Sequence, residues 1–231
     1  MRYQTSSTSL SAHLYPSFNT LLMRCIVAGV FSLLCWFALA QNATASTIRG
    51  IDVDQLVADA EFIFEGQVIH RETRQEQVSG LINTYVTFSV IDVIKGDYAG
   101  DSLELKFMGG VFNGQIVEVS GLVIPAEDEQ GIYFVESLDT DMLNPLLGWS
   151  QGHYLIVEEG GERRMNTVDN KPVIDVQPVS NIPQAIKKPQ SIIEGNADVA
   201  AGVMTESSNL QIERALSVEE FKSRIEALIG N

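Results

Sequence analysis

The pentapeptide Gly148-Trp149-Ser150-Gln151-Gly152 has the G-x-S-x-G spacing of a nucleophile elbow. That motif works when a strand delivers the serine to a tight turn and a helix leaves it, aiming backbone N–H groups at an oxyanion. It also needs a base. The chain holds 3 histidines, His13, His70 and His153. In the α/β-hydrolase order the histidine lies well downstream of the serine, yet no histidine follows His153. His153 itself is so close in sequence to Ser150 that only an unusual local turn brings the two together. His70 precedes the motif, an order that other triads do use. After Gly152 comes "HYLIVEE", a strand pattern rather than a helical one. Ser150 is therefore expected to be a loop residue, with Trp149 packed on the domain and Gly148 and Gly152 shaping the loop. No catalytic residue is assigned. A serine hydrolase acting through Ser150 stays as the enzymatic alternative.

The remaining polar residues form no stronger constellation. Asp139-Thr140-Asp141 resembles the start of a calcium loop, but the glycine at the sixth position and the glutamate at the twelfth are missing. His70 and His153 are too few to define a metal site and read as surface strand residues. Asp97 and Asp101 suit a turn. The acidic run "PAEDEQG" at 125–131 reads as a solvated loop. No motif places a pair of carboxylates for glycosidase chemistry. Neither a metal nor a cofactor is expected.

Positioning these residues falls to an exported β-domain. Residues 25–40, "CIVAGVFSLLCWFALA", are uncharged and apolar, shorter than the roughly 20 residues a bilayer span needs. Arg24 precedes them, and Ala43-Thr44-Ala45 gives the small-x-small pattern of a cleavage site. Residues 1–45 are thus expected to be a signal peptide, with Met23 as a possible alternative start. The processed chain would have no stable membrane span and would be periplasmic or secreted. It would also lack cysteine, because Cys25 and Cys35 both fall in the leader, so disulfides and thiolate chemistry are excluded. Two of the chain's 15 basic residues, Arg2 and Arg24, lie in that leader, leaving 13 against 30 acidic ones, a formal charge of −17. Such a charge repels phosphate backbones, which disfavours nucleic acid.

Within 46–171 the pattern is mainly β. A short helix is expected from Asp52 or Asp54, with Val53, Leu56, Val57 and Ala60 on one face. Strands follow at "FIFEGQVIHRETRQ", bent at Gly66, and at "LINTYVTFSVIDVIKG", with Gln77-Val78-Ser79-Gly80 as the turn between them. Further strands fall at 102–108, 115–121, 131–137, 153–159 and 163–168, separated by glycine-rich turns. These features predict an antiparallel OB-like barrel or sandwich. Residues 172–216 carry four of the chain's 7 prolines and read as an extended, partly disordered segment. Residues 217–231 read as a helix, with Ser217 and Glu220 forming a capping box and Phe221, Ile225, Leu228 and Ile229 an apolar stripe docked on the barrel.

Four pieces taken together resemble a group of exported bacterial β-proteins. They are Ala60–Val68 (A-[DE]-x-[IV]-x-x-G-x-V), Thr84–Gly96 (T-Y-V-T-F-x-V-x-x-V-x-K-G), Gly109–Gly114 (G-G-x-x-x-G) and the G-W-S-Q-G loop. That resemblance spans about residues 52–168 and implies no activity. More distantly, the helix-plus-barrel layout is similar to netrin-type modules and tissue inhibitors of metalloproteinases. Those inhibitors chelate the protease zinc through an N-terminal cysteine, which this chain lacks once processed. The resulting expectation is a non-catalytic β-domain that binds another exported protein, with Tyr85, Trp149 and Gln151 as contact residues. The alternative is an inhibitor or accessory factor of a secreted protease.

Overall fold

Strand-forming residues recur through two 14-residue runs, Phe62–Gln75 (β2) and Ile82–Lys95 (β3), which pair as an antiparallel hairpin. Its turn is closed by Glu76 N–H to the Leu81 carbonyl (2.9 Å) and Gly80 N–H to the Glu76 carbonyl (2.9 Å). Three register shifts interrupt the pairing, one of them between Glu65 and Gly66. Each extra residue bends the strand and increases its twist. A Cβ on Gly66 would lie 2.6 Å from the Phe64 ring, so the expected bend at this glycine is built on a close approach.

The computed structural model describes residues 47–181, 192–194, 199–206 and 214–230, all within the unit 45–231. The expected signal segment 1–45 lies outside the described residues. Around the long hairpin sit Ser102–Met108 (β4), Gln130–Val135 (β7), His153–Glu159 (β8) and Glu162–Thr167 (β9). Together they form a six-stranded antiparallel sheet of order β4-β3-β2-β7-β8-β9. A small hairpin, Gly110–Phe112 (β5) with Gln115–Val117 (β6), follows β4. Thr47–Arg49 (β1) pairs with Ile192–Glu194 (β11). The protein is thus mainly β and antiparallel, with a short helix near its start and a helix at its end, as the sequence pattern predicts. No described helix is long and apolar enough to cross a membrane.

Strand alternation sends successive side chains to opposite faces, and each face carries a buried apolar cluster over part of the sheet. One carries Ile63, Ile132, Phe134, Tyr154 and Met165 under the helices Val53–Asp59 (α1) and Val218–Ile229 (α2). The other carries an aromatic cluster of Phe62, Phe64, Phe88, Phe107 and Tyr133, covered by loop residues Tyr98, Leu122, Ile124 and Leu138. Each such aromatic contributes about 2–3 kcal/mol through burial. α1 ends without a basic residue of its own. Lys95, reaching over from β3, donates to the carbonyls of Val57, Ala58 and Ala60 at 2.7–2.8 Å and supplies the cation that a helix C-terminus favours.

The stretch after residue 172 differs from its expected loose character. Val173–Val176 (β10) pairs with Val203–Thr205 (β12), and Val173, Val176 and Ala200 are buried with the helices. Asp54 holds this stretch through the Val179 N–H at 2.7 Å. Long-range pairing thus orders valines whose prolines and lack of periodicity concealed them. Residues 182–191, 195–198 and 207–213 of the same segment lie outside the described residues. α2 carries the expected capping box: Glu220 N–H donates to Ser217 Oγ (3.2 Å) and Ser217 N–H to Glu220 Oε2 (2.8 Å). Phe221 and Ile225 are fully buried and Leu228 partly so, while Ile229 is 40% exposed and falls off the docked stripe.

Candidate functional site

The Trp149 loop begins where Leu147 N–H donates to the Phe134 carbonyl at 2.8 Å, leaving β7's neighbourhood for β8. Gly148 and Trp149 both take the left-handed conformation, with φ of 64° and 61°. A single 3-10 turn, Trp149–Gly152, then feeds directly into β8. A Cβ on Gly152 would stand 2.2 Å from the Leu147 carbonyl oxygen, so glycine is required there by backbone contact. The two glycines of the G-x-S-x-G pattern therefore serve chain geometry, and a strand, not an α-helix, leaves the turn.

Gln151 was expected to contact a partner, but it is 1% exposed. Its Oε1 accepts the Ile51 N–H at 2.9 Å and its Nε2 donates to the Gly148 carbonyl at 3.1 Å. The side chain is a clamp between this loop and the entry to α1, which removes it from the accessible surface. Ser150 is 5% exposed. Among the described residues no hydrogen bond joins it to His153 or His70. Trp149 is half-buried, and its left-handed backbone costs a bulky residue on the order of 1–3 kcal/mol.

His153 is not the surface residue expected from its place on a strand, for it is 1% exposed. Its Nε2 lies 2.7 Å from Glu129 Oε1, and Tyr133 Oη donates to the same oxygen at 3.2 Å. The Tyr133 and His153 rings are 5.1 Å apart. Glu129 in turn accepts the Ala126 N–H through Oε2 at 3.1 Å. So the acidic loop is not wholly solvated: Glu127 and Asp128 face water while Glu129 turns inward, its side chain 17% exposed. Burial opposes ionisation of Glu129, but the His153 contact and charge, with the Ala126 and Tyr133 donors, outweigh it and hold the carboxyl below its ordinary value. Burial and the Glu129 charge push the Tyr133 phenol well up, so it stays a donor. An ionised carboxylate only accepts, so Nε2 carries the proton. Nδ1 is buried without a hydrogen-bond partner among the described residues.

The outer face of β2–β3–β4 is polar. Arg74 stacks over the half-buried Tyr85 ring at 4.5 Å from its centroid, and pairs with Glu72 at 2.5 Å and Glu104 at 3.9 Å. Lys106 binds Glu76 at 3.3 Å and Asp141, so the aspartate that suggested a calcium loop is occupied by a lysine. Among the described residues no cluster of three metal-ligating side chains exists. His70 is exposed, as expected.

Residue patterning did not single out a strongly exposed apolar cross-strand pair. Val111 and Ile116 face each other across β5–β6 and are 60% and 67% exposed. Gly109 and Gly110, with φ of 101° and 127°, turn the chain off the end of β4, and Asn113-Gly114 (φ 48° and 80°) closes the hairpin. The Asn-Gly dipeptide was the available signal, since it specifies a tight hairpin whose side chains are displayed in pairs. Leu143, 54% exposed, adjoins the same end of β4, where its carbonyl accepts the Met108 N–H at 2.8 Å. Comparison with protein-family models, with curated proteins and with solved structures returned no match.

Proposed function

We propose that this chain is an exported, non-catalytic β-domain that binds another exported protein through the surface around the β5–β6 hairpin. The carrying observation is the cross-strand pair Val111–Ile116, 60% and 67% exposed on a hairpin held by tight glycine turns. Two β-branched side chains left largely in water gain little for folding beyond their mutual contact, and such displayed apolar surface suits a contact. Tyr85 and Trp149, both half-buried, are the aromatic residues next in line as contacts. The non-catalytic half of the reading is supported by a buried Ser150 without a histidine partner and by the commitment of His153 to Glu129. Export is supported by the apolar run 25–40 and the Ala43-Thr44-Ala45 pattern.

The test uses the processed chain, residues 46–231, as bait against periplasmic and culture-supernatant proteins, beside a Val111→Asp/Ile116→Asp double variant. The expected result is a protein retained by the wild type and weakened at least tenfold by the variant, at unchanged melting temperature. A captured protein that binds both forms equally would remove the hairpin from the interface. An esterase activity that vanishes in Ser150→Ala would overturn the non-catalytic half.

A further inference from the structure

We propose that the outer edge of β4 is a docking site for a short cationic, extended segment of another polypeptide, added as one more strand of the sheet. This rests on the partner-binding reading above and specifies its mode.

The backbone directions follow from bonds at the two ends of β4. Gly109 N–H donates to the Ile82 carbonyl at 2.8 Å and Val90 N–H to the Asp101 carbonyl at 2.9 Å, so the odd-numbered residues face β3. In an antiparallel ladder the alternate residues then turn both N–H and C=O away from that partner. At the extremes these outward groups are occupied: Met108 N–H donates to the Leu143 carbonyl at 2.8 Å, and the Ser102 carbonyl accepts the Tyr98 hydroxyl at 2.5 Å. Between them, the N–H and C=O groups of Glu104 and Lys106 have no hydrogen bond among the described residues. The opposite end of the sheet is treated differently. There Met165 N–H donates to the Leu216 carbonyl at 2.9 Å, and Arg164 bridges to Ser217, so the chain covers its own β9 edge.

Two occupied ends and a gap between them set the size of the occupant, about five residues pairing with Leu103–Phe107. Register sets its chemistry. A residue opposite Glu104 extends the row His70–Thr87–Glu104, and one opposite Lys106 extends the row Glu72–Tyr85–Lys106. On this face four carboxylates (Glu72, Glu76, Glu104, Asp141) meet two cations (Arg74, Lys106). Lys106 is already neutralised twice over, whereas Glu104 has only a 3.9 Å contact with Arg74. A Lys or Arg opposite Glu104 therefore completes the charge. Alternate residues of the segment lie beside Leu103, Leu105 and Phe107 and are apolar. A second copy of the chain is the poorer occupant, since each copy carries a formal charge of −15.

The probe is the capped peptide Val-Thr-Val-Lys-Val, titrated into the processed chain and followed by amide NMR. The expected result is a set of shifts centred on Glu104 and Lys106, with their amide exchange slowed. Replacing the peptide lysine by Glu should weaken binding at least tenfold, and N-methylation of its Thr and Lys amides should abolish it. In the Glu104→Lys variant the preference for the two peptides should reverse, with melting temperature nearly unchanged. Equal binding of the Lys and Glu peptides, binding of the N-methylated peptide, or shifts confined to the β5–β6 hairpin would each overturn the proposal. So would a concentration-dependent dimer in sedimentation that protects the same two amides, because the edge would then serve a second copy. A natural partner lost by Val111→Asp/Ile116→Asp but kept by Glu104→Lys would also overturn it while leaving the partner-binding reading intact.

Discussion

Glu129 shows how one side chain holds a loop. Its carboxylate receives His153 Nε2 at 2.7 Å, Tyr133 Oη at 3.2 Å and the Ala126 N–H at 3.1 Å, and so ties the 125–130 loop to strands β7 and β8. Its carboxyl lies below the ordinary value of 4.5. A depressed carboxyl stabilises the fold above its unfolded pKa, and that contribution disappears as pH falls through the folded value. Glu129→Gln is therefore expected to cost about 1–3 kcal/mol at neutral pH, measured by urea unfolding. The gap between variant and wild type should narrow as pH falls below 4.5 and close only once pH has passed the depressed folded value, where the wild-type carboxyl is itself protonated. A gap of constant size from pH 7 down to pH 3 would mean that the charge on Glu129 contributes nothing.

At the next scale, α2 is fastened by an ion cluster as well as by its apolar face. Glu65 on β2 is 1% exposed and is bound by Lys222 of α2 and Arg163 of β9, while Lys222 also reaches Asp92 at 2.9 Å. Removing one partner of a buried ion costs about 3–5 kcal/mol when nothing compensates. Arg163 remains after Lys222→Ala, so about 2–4 kcal/mol is expected for that variant. Arg224 pairs with Asp175 at 3.5 Å with side chains 54% and 33% exposed. Arg224→Ala should cost no more than about 1 kcal/mol. Phe221→Ala, which opens a cavity against Tyr154 at a ring separation of 5.0 Å, should cost about 3–5 kcal/mol. Chemical denaturation of the three variants checks the ranking; an Arg224 effect as large as the Lys222 effect would contradict it.

The same elements mark what the sequence could disclose. β2, β4 and β8 run over the residues that their strand-forming runs and flanking turn residues delimit, because strand propensity and turn chemistry are local properties of the chain. Ser217 and Glu220 likewise announce α2, since a capping box closes within three residues. The pairing of Val173–Val176 with Val203–Thr205, the inward turn of Glu129 and the burial of His153 depend on partners far along the chain. No periodicity encodes them. The clamp made by Gln151 is hidden for the same reason: its partner, the Ile51 N–H, is 100 residues away.

Across the whole molecule, short-range pairing and long-range charge act in opposite directions. The chain carries 30 acidic and 15 basic residues, so the folded protein repels itself. Glu65–Lys222 is a pair at contact distance whose carboxylate is 1% exposed, and screening reaches it little. Raising salt from about 0.02 M to about 0.5 M shrinks the Debye length from roughly 20 Å to roughly 4 Å. That relieves the general repulsion, so melting temperature should rise by a few degrees. The β4 edge selects its segment by exposed charge around Glu104, 46% exposed, and its affinity should fall several-fold over the same range. Calorimetry and peptide titration on one salt series thus separate the two effects. A melting temperature that falls with salt would place the dominant electrostatics in the exposed ion pairs and not in the net charge.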